Sequence, residues 1–138
     1  MYKKKQGQQY YTKRHSCFLL QYHMVLVTKY RKPCLTGEVK DMVYDLIRDT
    51  FNERKLNLME INGEADHVHI LYEADPFTAP GELVNVLKTR TSRLVRKKYG
   101  ETLLKPYYWK PLFWSDSYFI ATVSANSLEI YRAYIQNQ

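Results

Sequence analysis

The sequence predicts an α+β fold in which helices cover an antiparallel sheet and one further helix ends the chain. Strand-type and helix-type segments alternate along it, 45% of its residues are hydrophobic, and no repeat or low-complexity tract interrupts it. At 138 residues the chain is long enough to bury one core without disulfides, so we expect a single domain over residues 1–138. Residues 1–15 are polar and basic apart from Tyr10 and Tyr11, and we expect a loose basic arm there.

The first strand and helix follow from composition and spacing. Cys17 to Lys29 is rich in Leu, Val, Tyr and Phe, which predicts a long strand that ends at the turn around Lys32-Pro33. Thr36 then caps a helix that extends to about Lys55. Its apolar residues recur at helical spacing: Val39, Val43, Leu46, Ile47 and Phe51.

A hairpin and a second helix come next. Leu56 to Ile61 and His67 to Ala74 read as two strands joined across Asn62-Gly63-Glu64. A helix begins near Thr78, with Pro80 in the first turn, where its missing N–H costs little. Its buried side is predicted to consist of Leu83, Val84, Val86, Leu87, Leu94 and Val95.

The last part of the chain predicts a strand, broadly Leu112 to Val123, and a helix from about Asn126. The full order is β-α-β-β-α-β-α. It indicates a ferredoxin-like or RNA-recognition-like antiparallel sheet, β-α-β-β-α-β, with an appended C-terminal helix.

Charge and aromatic content favour a polyanionic partner. The chain has 21 Lys and Arg against 14 Asp and Glu, a net charge of +7, and 13 tyrosines that could stack on unpaired bases. On composition alone, the basic residues could equally be ordinary solvated surface. Two cysteines and the absence of an apolar run of roughly 20 residues predict a cytoplasmic protein with no membrane partner. Our candidates for contacts with the phosphates of such a partner are Lys29, Tyr30, Arg31, Arg90, Arg93 and Lys97.

Two of the four histidines, His67 and His69, are separated by a single apolar residue in a predicted strand. Side chains at positions i and i+2 of a strand share one face, so both imidazoles would point away from the core. Neutral imidazole is a common ligand of divalent metals, and this pair is half of a metal site. Asp66 would point to the opposite face of an ideal strand, so we do not assign it as a ligand.

The C-terminal helix carries Tyr134 and Gln138, which are four residues apart and therefore neighbours on one helix face. A phenol that can act as a nucleophile and an amide oxygen that can bind a metal would be presented together. The alternative is that Tyr131, Tyr134 and Ile135 form a packing stripe and that Gln138 is a solvated end.

Four segments resemble, in matching order, the single-tyrosine HUH transposases of the smallest insertion sequences, the TnpA type of the IS200-like transposases. In HUH, U is a large apolar residue. The segments are Thr28 to Pro33, Asp66 to Leu71, Leu112 to Phe119 and the ending Tyr134-Ile135-Gln136-Asn137-Gln138. Members often have Pro before the Asp of the HUH strand, where this chain has Ala65.

The resemblance implies that Tyr134 is the nucleophile and that His67, His69 and Gln138 hold a divalent cation, Mg²⁺ or Mn²⁺. The implied activity is cleavage and rejoining of single-stranded DNA at insertion-sequence ends, through a 5′-phosphotyrosine intermediate. It also implies a homodimer that recognises DNA hairpins, with the tyrosine helix able to serve the partner's HUH strand.

Other functions stay open at this point. A non-catalytic nucleic-acid-binding module of RNA-recognition type explains the charge and the sheet order, but not the histidine pair or Gln138. A cupin-like metalloenzyme needs further ligands, and only His15 and His23 remain. A domesticated HUH nuclease acting on repeated palindromes would share the transposase chemistry, so sequence alone does not separate the two.

Overall fold

The computed structural model describes residue 4, residues 6 and 7, residues 9–124 and residues 127–138. A short N-terminal hairpin precedes a four-stranded sheet, two long helices and a terminal helix. The elements are β1 (Tyr11–Lys13), β2 (Ser16–Phe18), β3 (Leu20–Val27), α1 (Gly37–Glu53), β4 (Asn57–Glu64), β5 (His67–Ala74), α2 (Pro80–Tyr99), β6 (Phe119–Thr122) and α3 (Ser127–Gln136).

The main sheet has the strand order β4-β5-β3-β6, and every neighbouring pair is antiparallel. The first and third of its strands in chain order lie at the centre, and the second and fourth lie at the edges. This arrangement, with α1 and α2 as the connections, confirms the predicted ferredoxin-like sheet and its appended helix.

Alternation along the two central strands separates the two faces of the sheet. Met24 and Leu26 on β3, and Val68, Ile70 and Tyr72 on β5, are buried against α1 and α2 in the main core. On the opposite face a much smaller cluster contains Val25, Val27 and the α3 residue Ile135. The third helix therefore covers the face that carries His67 and His69.

Both long helices are amphipathic, as their spacing predicts. The buried side of α1 includes Val39, Val43, Ile47 and Phe51, and that of α2 includes Leu83, Val84, Leu87 and Val95. No helix in the described ranges is long and apolar enough to cross a membrane.

A short hairpin lies where the predicted arm meets the predicted first strand. Tyr11–Lys13 pairs with Ser16–Phe18, and the predicted first strand is interrupted at Leu19 before β3 enters the main sheet. The Tyr11 ring is buried and its hydroxyl donates a 2.7 Å hydrogen bond to Glu73 Oε1. This buried contact orders the end of the segment that composition alone had assigned to a loose arm.

The turn of the β4–β5 hairpin lies two residues later than predicted. β4 continues through Asn62, Gly63 and Glu64, and Ala65 and Asp66 form the turn. Gly63 is a close-approach residue, because a Cβ there would clash with the carbonyl oxygen of His67 on the neighbouring strand. From the sequence, Gly63 is predicted to be a turn residue, which places the turn at Asn62-Gly63-Glu64. In the structure the turn is at Ala65 and Asp66.

Most of the predicted strand from Leu112 to Val123 is a loop, and only Phe119–Thr122 pairs with β3. Before it, Trp114 makes a single bridge with Thr28 and donates a 2.8 Å hydrogen bond from its indole nitrogen to Thr91 on α2. Lys88 on α2 donates to the carbonyl oxygens of Ser115 and Ser117. Side chains of α2 therefore hold this loop together with a few backbone hydrogen bonds to the end of β3.

Candidate active site

The site occupies the sheet face beneath α3, at the end where β3 finishes and β5 begins. In the strand register, Val27 and Glu64 lie opposite His67, while Val25 and Asn62 lie opposite His69. Partners in an antiparallel pair project to the same face, so the imidazoles are flanked by β3 valines on one side and by polar β4 residues on the other.

The turn residue Asp66 orients His67. Asp66 Oδ1 lies 2.9 Å from His67 Nδ1, and Asp66 Oδ2 accepts a 3.0 Å hydrogen bond from Arg31 Nε. Burial alone would raise the pKa of Asp66, but the hydrogen bonds from His67 and Arg31 lower it below its usual range. An ionised carboxylate only accepts, so Nδ1 donates to it and Nε2 is the ring nitrogen that a metal could bind.

A cation could be held beside this imidazole. Ligand atoms of Glu64, Asp66 and His67 all lie within 4.8 Å of one another. Glu64 and His67 border an open cavity of about 480 Å³ that α3 helps to form, and whose lining also includes Arg31, Tyr131, Arg132 and Gln136. The carboxylates suit a hard divalent ion, and this donor set differs from the predicted one.

His69 has different surroundings. It is 5% exposed, and its Nε2 lies 2.7 Å from Nδ1 of His23 on β3. The ring of Tyr131 stacks on it, with centroids 4.7 Å apart and planes 14° apart. Burial, assisted by the neighbouring His23, lowers the pKa of His69 to about 4, so this imidazole is neutral at pH 7.

Tyr134 and Gln138 lie together, but at the β6 side of the sheet. The Tyr134 hydroxyl is 2.7 Å from Ser117 Oγ, which donates to Gln138 Oε1 at 3.1 Å. The Tyr134 ring contacts Phe119 on β6, with centroids 5.5 Å apart. Within the described residues, neither Tyr134 nor Gln138 lines the cavity at His67. The two predicted α3 residues therefore meet at Ser117, while Tyr134 also packs with Val25 and Val27 on the sheet face that carries the histidines.

The predicted DNA-binding residues fall into two groups. Lys29, Tyr30 and Arg31 form a turn at the end of β3, where Lys29 pairs with Asp116 at 3.0 Å and Arg31 pairs with Asp66. Tyr30 is 67% exposed and has a φ of 58°, an uncommon conformation for a residue with a side chain.

The second group lies on α2, behind the opposite face of the sheet. Arg90 donates to Thr50 Oγ1 and Glu53 Oε2, and so joins α2 to α1. Arg93 and Lys97 are exposed. The DNA contacts of both groups remain predictions, and only the turn at Lys29–Arg31 adjoins the candidate site.

Three residues with contacts in the site were missed or set aside from sequence. Asp66 was excluded on strand alternation, but it lies in the turn, where alternation does not apply. His23 was counted only as a leftover histidine, although it shares a face with Val25 and Val27 on β3. Ser117 had no sequence signal, because its role depends on where α3 packs.

Comparison with known proteins identifies the family. The family described as "Transposase IS200 like" matches residues 16–138. The ISDra2 transposase TnpA of Deinococcus radiodurans is 35% identical over 121 residues, which cover 88% of this chain and 85% of that protein. The transposase of insertion sequence element IS200 from Salmonella typhimurium is 29% identical over 124 residues, or 90% and 80% of the two chains.

Solved structures agree with this assignment. A crystal structure described as a transposase from Deinococcus radiodurans R1 has a TM-score of 0.83 and 31% identity, and covers 92% of this chain and 96% of that one. A REP-associated tyrosine transposase bound to a REP hairpin has a TM-score of 0.57 at 10% identity, over 90% and 68% of the two chains, and supports the fold alone. The match over residues 16–138 and the 35% identity to a full-length relative show that this chain belongs to the IS200-like transposase family.

Proposed function

We propose that this protein is a metal-dependent transposase that cleaves and rejoins single-stranded DNA through a 5′-phosphotyrosine intermediate. The observation that carries the proposal is His67, which Asp66 holds with one ring nitrogen available, in a cavity beneath the helix that bears Tyr134. A mostly buried histidine with a purely structural role would be expected to use both ring nitrogens in hydrogen bonds.

The donor set suits a divalent cation. His67 Nε2 supplies one ligand, Gln138 Oε1 and neutral His69 are the further ligands that the family resemblance implies, and Glu64 offers a hard carboxylate oxygen nearby. Magnesium prefers oxygen ligands and manganese accepts nitrogen more readily, so we propose that both ions work. When bound, the cation would polarise a phosphoryl oxygen and offset its developing negative charge.

Tyr134 supplies the nucleophile in this proposal. Its phenolic oxygen forms a bond to phosphorus as the bond from phosphorus to the 3′ oxygen breaks. The phenol proton is lost to solvent, and the leaving strand takes a proton to become a free 3′-OH. A 3′-OH of another strand can reverse the step by attacking the phosphotyrosine, so rejoining needs no nucleotide cofactor.

The turn at Lys29–Arg31 is the best-placed DNA contact. It crosses the end of the sheet from Asp116, on the β6 side, to Asp66 beside His67. A strand whose scissile phosphate lay at His67 would pass this turn. We propose that its cations contact phosphates, and that hairpin ends are recognised as the family resemblance implies.

We further propose a homodimer in which His67 of one subunit works with Tyr134 of the other. β6 and β5 are separated by β3, so residues on them are roughly 10 Å apart across the sheet. Tyr134 packs on Phe119 of β6 and its hydroxyl contacts Ser117, so in this arrangement it is engaged at the β6 side rather than at its own His67. A partner's helix could complete the site with twofold symmetry.

The covalent intermediate gives the first test. Wild-type protein mixed with Mn²⁺ and a labelled single-stranded oligonucleotide carrying the DNA that flanks the gene should give a denaturation-resistant adduct. Tyr134→Phe should give none while binding the oligonucleotide nearly as well, because only one hydroxyl is removed. Tyr131→Phe is the matched control on the same helix. Adducts that persist in Tyr134→Phe and vanish in Tyr131→Phe would show that Tyr131 is the nucleophile.

Mixed dimers test the shared site. Neither Tyr134→Phe nor His67→Ala homodimers should cleave the oligonucleotide. A heterodimer of the two has one intact site if the helix works on the partner, and activity should return to about half that of wild type. A verified heterodimer with no activity would instead place both residues of each site in one chain.

A further inference from the structure

One serine hydroxyl contacts both α3 residues of the proposed reaction. Ser117 Oγ lies 2.7 Å from the Tyr134 hydroxyl and donates to Gln138 Oε1 at 3.1 Å. A serine has a single proton to donate, and Gln138 Oε1 can only accept it. The Tyr134 hydroxyl must therefore donate to Ser117, which sets the direction of the whole chain from phenol to serine to amide.

This hydrogen-bond chain occupies the two atoms that the proposed reaction needs. The Tyr134 proton points at a serine oxygen, which is too weak a base to remove it, and the Gln138 oxygen is already used as an acceptor. The Gln138 amide nitrogen donates back to the Tyr134 carbonyl oxygen at 3.3 Å. For the Tyr134 hydroxyl to attack a phosphate and for Gln138 to bind a cation beside His67, both side chains must leave Ser117.

Ser117 belongs to a loop that α2 and β3 hold in place, whereas α3 packs on the sheet through the small cluster around Ile135. Lys88 Nζ donates to the Ser117 carbonyl oxygen at 2.9 Å and to that of Ser115 at 2.8 Å, and Ser115 N donates to Val27 O. By contrast, Ile135 is the single buried residue among residues 129–138. A shift of α3 would thus leave Ser117 in place and break its two hydrogen bonds.

We propose that Ser117 is a positioning residue that holds Tyr134 and Gln138 at the β6 side in a resting arrangement, from which α3 is released for DNA cleavage. The inference rests on the proposed function for its catalytic consequence, but the contact itself can be tested separately. In this proposal the Ser117 hydroxyl restrains both the nucleophile, Tyr134, and a metal ligand, Gln138.

Removing the hydroxyl should accelerate adduct formation. With the same labelled oligonucleotide and Mn²⁺, Ser117→Ala should form the Tyr134 adduct about three- to tenfold faster than wild type, the range expected for losing exposed hydrogen bonds. Ser117→Thr, which keeps a hydroxyl, should restore the wild-type rate. Ser115→Ala is the matched control, because its hydroxyl donates to the Ser117 carbonyl and is not bonded to α3.

Hydrogen–deuterium exchange separates the contact from the chemistry. Peptides covering residues 127–138 should exchange faster in DNA-free Ser117→Ala than in wild type, Ser117→Thr or Ser115→Ala. Unchanged exchange in Ser117→Ala would overturn the proposal, and so would slower adduct formation, which would mean that Ser117 assists the reaction. If none of the proteins forms an adduct, the proposed function fails, and the exchange result still decides whether Ser117 restrains α3.

Discussion

The two faces of the central sheet differ in what they bury. The face toward α1 and α2 contains Met24, Leu26, Val68 and Ile70, all fully buried and apolar. The face toward α3 contains His23, His67, His69 and Glu73, whose burial costs free energy unless each is hydrogen-bonded. Strand β5 contributes to both, because its side chains alternate.

This difference assigns stability mainly to one face and chemistry to the other. Apolar burial is favourable without directional partners, so the α1–α2 side can hold the sheet rigid. The rigid strand then places polar side chains of the other face at fixed spacing, where each finds one specific partner. Glu73 is the exception on the α3 side, since its contacts secure the N-terminal segment.

The largest effect on stability should come from the apolar face. Ile70→Ala removes a fully buried side chain and leaves a cavity, and should lower the free energy of unfolding by about 2–5 kcal/mol. The melting temperature should fall by about 10 °C or more. Leu71→Ala is the matched control, one residue away on the other face and half-buried, and should cost clearly less. Equal losses would mean that both faces contribute alike.

Glu73→Gln should have the next largest effect. Lys4, Tyr11, Gln21 and Asn57 donate hydrogen bonds to this carboxylate, and despite its burial they lower its pKa to about 2. The free energy of unfolding should fall by about 2 kcal/mol.

The same pKa predicts acid sensitivity. A carboxyl whose pKa is lower in the folded state stabilises the protein above the unfolded pKa, near 4.5, and loses that contribution as pH falls toward about 2. Chemical unfolding at pH 7 and pH 3 should therefore differ less for Glu73→Gln than for wild type. Glu101→Gln, at an exposed carboxylate, should behave as wild type does. A parallel pH dependence in Glu73→Gln and wild type would remove Glu73 as the cause.

The two histidines should respond differently to truncation. His69→Ala leaves buried His23 without its partner and should cost about 1–3 kcal/mol of unfolding free energy. His67→Ala should cost less than His69→Ala, because His67 borders the open cavity, where water can replace the imidazole beside Asp66. Both should lose DNA cleavage. Mn²⁺ should raise the melting temperature of wild type but not of His67→Ala, and an equal rise in both proteins would place the metal elsewhere.

The smallest effect on stability should come from Tyr30→Gly. Glycine adopts a positive φ at no steric cost, so the melting temperature should stay the same or rise slightly. Loss of an exposed aromatic ring should nevertheless weaken binding of single-stranded DNA by about fivefold or more, if bases stack there. Phe77→Ala, at another exposed aromatic residue, is the control for fluorescence-anisotropy titrations. Unchanged affinity in Tyr30→Gly would limit this turn to phosphate contacts through Lys29 and Arg31.

The local pattern of the sequence determined the helices, the order of the elements and the shared face of His67 and His69. These features depend on spacings of two to four residues, which the chain displays directly. The resemblance of the HUH strand and the terminal Tyr134 segment to a known family was confirmed by the match over residues 16–138. The predicted roles of His67, His69, Tyr134 and Gln138 remain proposals.

Only the tertiary structure decided which side chains meet. The strand register places Gly63 against the carbonyl of His67 and moves the turn to Ala65–Asp66, and this brings Asp66 to the imidazole. Packing across strands pairs His23 with His69, and the position of α3 brings Tyr134 and Gln138 to Ser117. The contacts of His23 and Ser117 join segments that are distant in sequence, and the contact of Asp66 lies in a turn, where side chains do not alternate between faces. Local periodicity carries no information about contacts of these two kinds.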